Sequence, residues 1–284
     1  MQIITQKLIQ QYLFYIKNKE IKQIIGRKRL KFNRIEISLY LLYIFKHSSE
    51  QKSFKSIYKR LKLVISYQAF MQNIALFSSL FKRLFYIFNK INRIKASSLL
   101  NIIDSTIIPE KQAKFINQKD WDCNKVTARI INKEKIRTCG SKGFILMNRK
   151  QQIYHAELVN INESDQNYLK NPHKLTDKLK GILLADRGFS NKLVRERLSH
   201  DKNNIFNYDN LICRLISPYH VKQKLKLTKK ESKLYKRRWK IETLFKILKD
   251  NYSENKLNLT GKYTNKLKQA KFYSTIIVHN LSTI

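Results

Sequence analysis

The chain is short of glycine, proline and acid: its 284 residues hold 6 Gly, 3 Pro and 20 Asp plus Glu. So few backbone breakers exclude a loop-rich or low-complexity chain and favour long regular elements, chiefly helix. Cysteine is scarce too. Cys123, Cys139 and Cys213 are an odd number, with no C-x-x-C pair and no His at zinc-ligand spacing. They read as reduced, incidental thiols of a cytosolic protein. No basic stretch precedes an apolar run in residues 1–19, so a secretory leader is not expected. Long hydrophobic runs are also missing: residues 35–45 are too few, and residues 74–91 are broken by Lys82 and Arg83. Neither reaches the roughly 20 apolar residues that a bilayer crossing needs.

Positive charge is abundant. Against the few acids stand 58 Lys plus Arg, a formal net charge of +38. An A·T-rich genome inflates Lys, Asn and Ile together, but it does not remove acids. A polyanionic partner is therefore expected, because each phosphate neutralised by Lys or Arg releases condensed counterions. The hydrophobic content of 43% makes the chain globular. Its length suffices for one sizeable core and a smaller accessory domain.

Residues 1–95 read as an all-helical, basic domain, with 20 Lys plus Arg against three Glu. Apolar residues recur there at three- and four-residue spacing. Residues 53–62 and 66–91 read as two helices, with Ser53 and Ser66 as N-caps. Such a pair is compatible with a helix-turn-helix reading the major groove, and equally with a plain basic bundle. Residues 96–284 read as a second domain of mixed α/β type. Apolar runs at 99–103, 143–148, 153–160, 181–185 and 211–216 suggest strands, the second and third forming a hairpin. Helices are expected over 191–198, 229–249 and 266–281. The result is a mixed sheet flanked by helices.

Two of those runs end on a carboxylate, Asp104 and Asp186. Strand ends meet at one sheet edge, so residues remote in sequence become neighbours there. Each Asp taken alone is equally an ordinary cap or turn residue. On the helix from Lys229, residues Tyr235, Arg238, Glu242 and Lys249 fall within an arc of roughly 60° at about 100° per residue. Ile241, Leu244, Phe245 and Leu248 are left to anchor the helix. That polar stripe alone is also a common solvated salt-bridge face.

The spacing Tyr235-x2-Arg238-x3-Glu242-x6-Lys249 resembles the Y-R-E-K signature of insertion-sequence DDE transposases. Ile103-Asp104-Ser105-Thr106 resembles that family's first Asp motif, and Leu184-Ala185-Asp186-Arg187-Gly188-Phe189 its second, in the family's order. The resemblance implies a ribonuclease-H-like fold and a catalytic, metal-binding triad of Asp104, Asp186 and Glu242. It also implies two Mg²⁺ ions, replaceable by Mn²⁺, and DNA contacts from Tyr235, Arg238 and Lys249. The partners implied are double-stranded transposon ends and target DNA, bound by a homo-oligomer in a bacterial cytoplasm, at the nucleoid. Only 55 residues separate Asp186 from Glu242, which marks a compact branch without the large β-rich insertion of better-known members. Asp165, in Asn162-Glu163-Ser164-Asp165, also resembles a family position; it reads as a strand-end turn, outside the triad. Two other readings stay open: a metal-dependent nuclease without strand transfer, and a basic DNA-binding protein without catalysis.

Overall fold

The computed structural model describes residues 58–59, 66–76, 78–111, 126–131, 134–170, 181–189, 213–218, 227–252 and 264–283. The helices expected over residues 1–57 and 191–198 lie outside them. The chain forms two compact units, one of Met1–Arg93 with Leu248–Ile284 and one of Ile94–Ile247.

In the first unit, α1 (Tyr67–Leu76) and α2 (Ser78–Ile91) replace the single helix expected over 66–91. Ser66 does cap α1: its Oγ accepts from the Ala69 amide at 3.2 Å. On α2 the buried residues Leu80, Phe81, Leu84, Phe85 and Phe88 recur at three- and four-residue intervals, the stripe of a helix with one face inward. The long α6 (Thr264–Ser282) packs on it. Phe85 meets Tyr273 with ring centroids 5.9 Å apart, and buried Asn280 donates to Asn89 at 3.0 Å. Among the described residues, no helix is long and apolar enough to cross a membrane.

Among the described residues, the second unit is built on a six-stranded mixed sheet. Its strands are β1 (Leu100–Lys111), β2 (Val126–Ile131), β3 (Glu134–Asn148), β4 (Ile153–Asn160), β5 (Gly181–Leu184) and β6 (Cys213–Ile216). β1, β3 and β4 form an antiparallel meander; β5 then adds parallel to β1, and β6 parallel to β5. The resulting order β4-β3-β1-β5-β6, with a helix between β4 and β5 and helices after β6 among the described residues, is the ribonuclease-H-like arrangement. β2 pairs with the first part of β3 and extends the meander. The hairpin turn between β3 and β4 is closed by Asn148, whose Oδ1 accepts from the amides of Lys150 and Gln152 at 3.0 and 3.1 Å.

Helix α3 (Asp165–Lys170) follows β4. Its Tyr168 ring stacks on Phe144 of β3 at 3.8 Å between centroids, and Phe144 meets Phe189 edge-on at 6.0 Å. That aromatic trio binds the meander to the segment after β5. The expected helix over 229–249 is interrupted. It comprises α4 (Lys229–Tyr235), a 3₁₀ turn (Lys236–Arg238) and α5 (Trp239–Tyr252). Thr228 opens α4 with a capping box to Glu231, worth about 1 kcal/mol. Arg214 of β6 reaches the same Glu231 at 2.7 Å. Ile241, Leu244 and Phe245 of α5 are buried as the sequence pattern suggests.

Gly181 starts β5 at φ +61°, and a Cβ there would lie 2.1 Å from the Ser98 carbonyl oxygen. This close approach sets the parallel register, since the neighbouring Ile182 amide donates to Leu99 O at 3.2 Å. Gly181→Ala is therefore expected to cost at least about 2 kcal/mol, from the left-handed backbone penalty plus the clash. A urea unfolding midpoint close to that of the parent would contradict this origin of the register.

Candidate active site

Parallel pairing of β1 with β5 places the first two candidate acids. The register matches Leu100 with Ile182, Asn101 with Leu183 and Ile102 with Leu184. The same offset carried two residues on brings position 104 level with position 186. Asp186 stands just beyond the end of β5, as expected. Asp104 does not end its strand: β1 runs on to Lys111, and the expected strand end at 104 is corrected to a mid-strand position. The reason is β3, which pairs with β1 from Asn101 to Lys111, well past the point where β5 stops. Asp104 thus lies inside the sheet, at the lip where its parallel neighbour ends.

Asp186 is exposed and turned by local bonds. Its Oδ1 accepts from the Arg187 amide at 2.6 Å. Its carbonyl takes the Ser217 hydroxyl, just past β6, at 2.8 Å. Asp104 is mostly covered, its side chain keeping 14% of its surface. Burial pushes its carboxyl up from the ordinary 3.8 to about 6, although the Ser105 amide and Arg238 pull the other way. Asp186 and Asp165 add to the rise by like charge.

Arg238 joins the separate pieces. One guanidinium nitrogen donates to Asp104 Oδ2 at 2.6 Å, and the other donates to Glu242 Oε1. Because Lys236–Arg238 is a 3₁₀ turn, residues three apart eclipse one another. Tyr235 accordingly lies under Arg238, its ring centroid 5.8 Å from the guanidinium carbon. Burial works against the Arg238 charge, but Asp104, Tyr235, Asp186 and Glu242 outweigh it and hold the guanidinium protonated. Glu242 opens toward water, with 55% of its side chain exposed. Lys249 lies on the same helix seven residues further on; its side chain is outside the described residues.

The structure therefore brings Asp104, Arg238 and Glu242 into one bonded set, with Tyr235 against it and Asp186 level with Asp104. Among the described residues, no three acids, His or Cys are arranged to hold a metal ion. The donor chemistry nevertheless fits a hard cation. Two carboxylates converge on a single positive group, and a third, Asp186, is near enough to act on Asp104 by like charge; all are oxygen donors of the type Mg²⁺ prefers.

The sequence reading left out two residues. Asp165 accepts from Ser105 Oγ at 2.8 Å and pairs with Lys142 at 3.3 Å. The available signals were an acid just after β4 and a lysine inside the otherwise apolar run of β3. His155 is also buried, its Nε2 3.2 Å from the Tyr168 hydroxyl.

Because the folded-state value of Asp104 exceeds its ordinary one, the folded chain holds more protons than the unfolded chain between about pH 4 and 6. Stability must then fall as pH rises through that window and stay reduced above it. Asp104→Asn removes this titration. In EDTA the parent should lose on the order of 2 kcal/mol of stability relative to the variant between pH 4 and pH 8. A gap independent of pH in denaturant titrations would show that Asp104 is not held against its charge.

With this geometry established, comparison with known proteins adds the lineage. A family model described as a transposase DDE domain matches residues 95–281. No curated protein is significantly similar to the chain. A solved structure, described as a cryo-EM structure of the piggyBac transposase synaptic complex with hairpin DNA, aligns at 11% identity and a TM-score of 0.47. The alignment covers 99% of this chain and 75% of that one. The match over residues 95–281, more than half of the chain and the segment that carries Asp104, Asp186 and Glu242, identifies this protein as a member of the DDE transposase domain family.

Proposed function

We propose that the chain is a transposase that binds the ends of an insertion sequence, cleaves a DNA strand there and joins the freed 3′-hydroxyl to target DNA. The observation that carries this reading is the convergence of Asp104 and Glu242 on Arg238, with Asp186, two residues past the end of the strand beside β1, near enough to act on Asp104 by like charge. An acid covered as Asp104 is must be matched by a cation. A scissile phosphate arriving at this lip offers Arg238 another partner. A guanidinium forks onto phosphate as readily as onto carboxylate. Its transfer to DNA would free both acids.

Asp104, Asp186 and Glu242 would then hold the divalent metal, Mg²⁺ or Mn²⁺, that the family implies. Such ions supply the Lewis acidity that activates water or a 3′-hydroxyl and stabilises the leaving oxygen. Arg238 and Lys249 would carry the phosphate charge, and Tyr235 would lie against the backbone or an exposed base. The excess of Lys and Arg supports a long DNA contact. Joining two ends of one element calls for more than one copy of the chain, so a homo-oligomer on DNA is part of the proposal, as is a nucleoid-associated place in the cytoplasm.

The test uses DNA carrying the element's terminal repeat. Asp104→Asn, Asp186→Asn and Glu242→Gln are each expected to reduce Mg²⁺-dependent nicking to background, while DNA affinity in EDTA stays within a few-fold of the parent. Wild-type nicking by any of them would remove that acid from the metal set. A pre-nicked end mixed with a target plasmid separates the alternatives: a transposase joins them, a nuclease only hydrolyses, and a non-catalytic binder does neither.

A further inference from the structure

The contacts made by the Asp165 carboxylate are tertiary, and none is explained by the helix it begins. The cap of α3 is Ser164, whose Oγ accepts from the Asn167 amide at 3.0 Å and whose carbonyl accepts from the Tyr168 amide at 3.2 Å. Asp165 is thus spared for tertiary contacts. Its Oδ1 takes the Ser105 hydroxyl at 2.8 Å and faces Lys142 Nζ at 3.3 Å. Lys142 is itself held by Glu163 O, and only 9% of its side chain is exposed. The other oxygen, Oδ2, lies where a Cβ on Gly188 would come within 2.8 Å, so the turn after Asp186 packs directly against it.

Neighbouring residues of a strand point to opposite faces. Asp104 turns to Arg238 and Ser105 to Asp165, so Asp165 grips β1 from the face opposite the guanidinium. One carboxylate therefore bonds side chains of two strands, β1 one residue past Asp104 and β3 at Lys142, and packs against the 187–189 turn two residues past Asp186. β5 stops pairing with β1 at Ile102, so sheet hydrogen bonds no longer hold Asp104 and Asp186 at their common level. Asp165 stands where the ladder has run out.

We propose that Asp165 is a positioning residue for the two strand-borne acids, bracing the β1 backbone against the Asp186 turn so that both keep the spacing a shared divalent cation requires. The role rests on the metal reading of Asp104 and Asp186 and extends it to a residue that is not itself a ligand. The charge pair with Lys142 is the anchor, and the Ser105 hydroxyl is the link to the active strand.

Mn²⁺ binding to the full chain in complex with a short DNA end that lacks its 3′-hydroxyl, followed by the electron paramagnetic resonance of the free ion, tests it apart from turnover. Asp165→Ala should weaken Mn²⁺ by roughly 10–100-fold, the range typical of residues that orient metal ligands. Ser105→Ala, which keeps the Asp165–Lys142 pair, should weaken it several-fold, with a melting temperature and EDTA-state DNA affinity like the parent's. A merely structural contact would lower melting temperature and leave the affinity of the folded fraction unchanged. Ser105→Ala binding Mn²⁺ as the parent does overturns the proposal, even if Asp165→Ala fails to fold. Asp104→Asn is the control: it should lose the ion, and parent-like binding there would overturn the metal reading itself, and the positioning role with it.

Discussion

A carboxylate on the central strand of a sheet cannot stand alone, and the architecture of the second unit follows from how Asp104 is matched. Burial holds its carboxyl near 6, so at neutral pH the group is ionised only at a cost that positive charge must offset. Arg238 provides that charge from a helix more than 130 residues away in sequence. The helix can do so because its apolar face, Ile241, Leu244 and Phe245, is buried and its start is fixed by the Thr228 cap and Arg214. On the proposed metal reading, a divalent cation would offset the charge that Arg238 offsets here, and the stability given up at Asp104 would be the counterpart of a group kept for chemistry.

On the proposed reading, the guanidinium and a divalent ion would be alternative partners for the same oxygens. Mg²⁺ demands close oxygen ligands in near-octahedral geometry, whereas an arginine fork can donate to two carboxylates on separate elements, as it does here. Exchange between the two requires a new partner for Arg238, and a DNA phosphate is one of suitable charge and shape. Assembly of the metal site would then follow the arrival of DNA, consistent with a protein whose charge of +38 gives strong long-range attraction to a polyanion.

Much of this was legible in the chain itself. The hairpin of β3 and β4, the short buried β5 and β6, and the anchoring face of α5 follow from apolar runs and helical spacing. Asp186 falls where its run ends. Asp104 was harder, because Ser105-Thr106 and Pro109 look like the close of a strand. Pairing with β3 nonetheless carries β1 past them, with a register shift between Pro109 and Lys111 where the missing proline amide is tolerated. β2 left little trace, since the polar Glu134–Arg137 stretch of its partner strand lacks apolar alternation. The 3₁₀ turn at Lys236–Arg238 was likewise invisible, because it keeps the same residues on nearly the same face. Asp165 looked like a turn acid because its partners, Ser105 and Lys142, are 60 and 23 residues away, and only tertiary structure joins them.

The central claim is that Asp104, Asp186 and Glu242 converge on divalent metal once Arg238 lets go. An anomalous-scattering map at the manganese edge, from crystals of the chain with Mn²⁺ and a DNA end, tests this most directly. The account requires manganese density bound by oxygens of Asp104 and Asp186, with Glu242 completing the set and the Arg238 guanidinium moved onto a phosphate. Arg238 still bridging Asp104 and Glu242 beside fully bound DNA, with no manganese among the three acids, would contradict it.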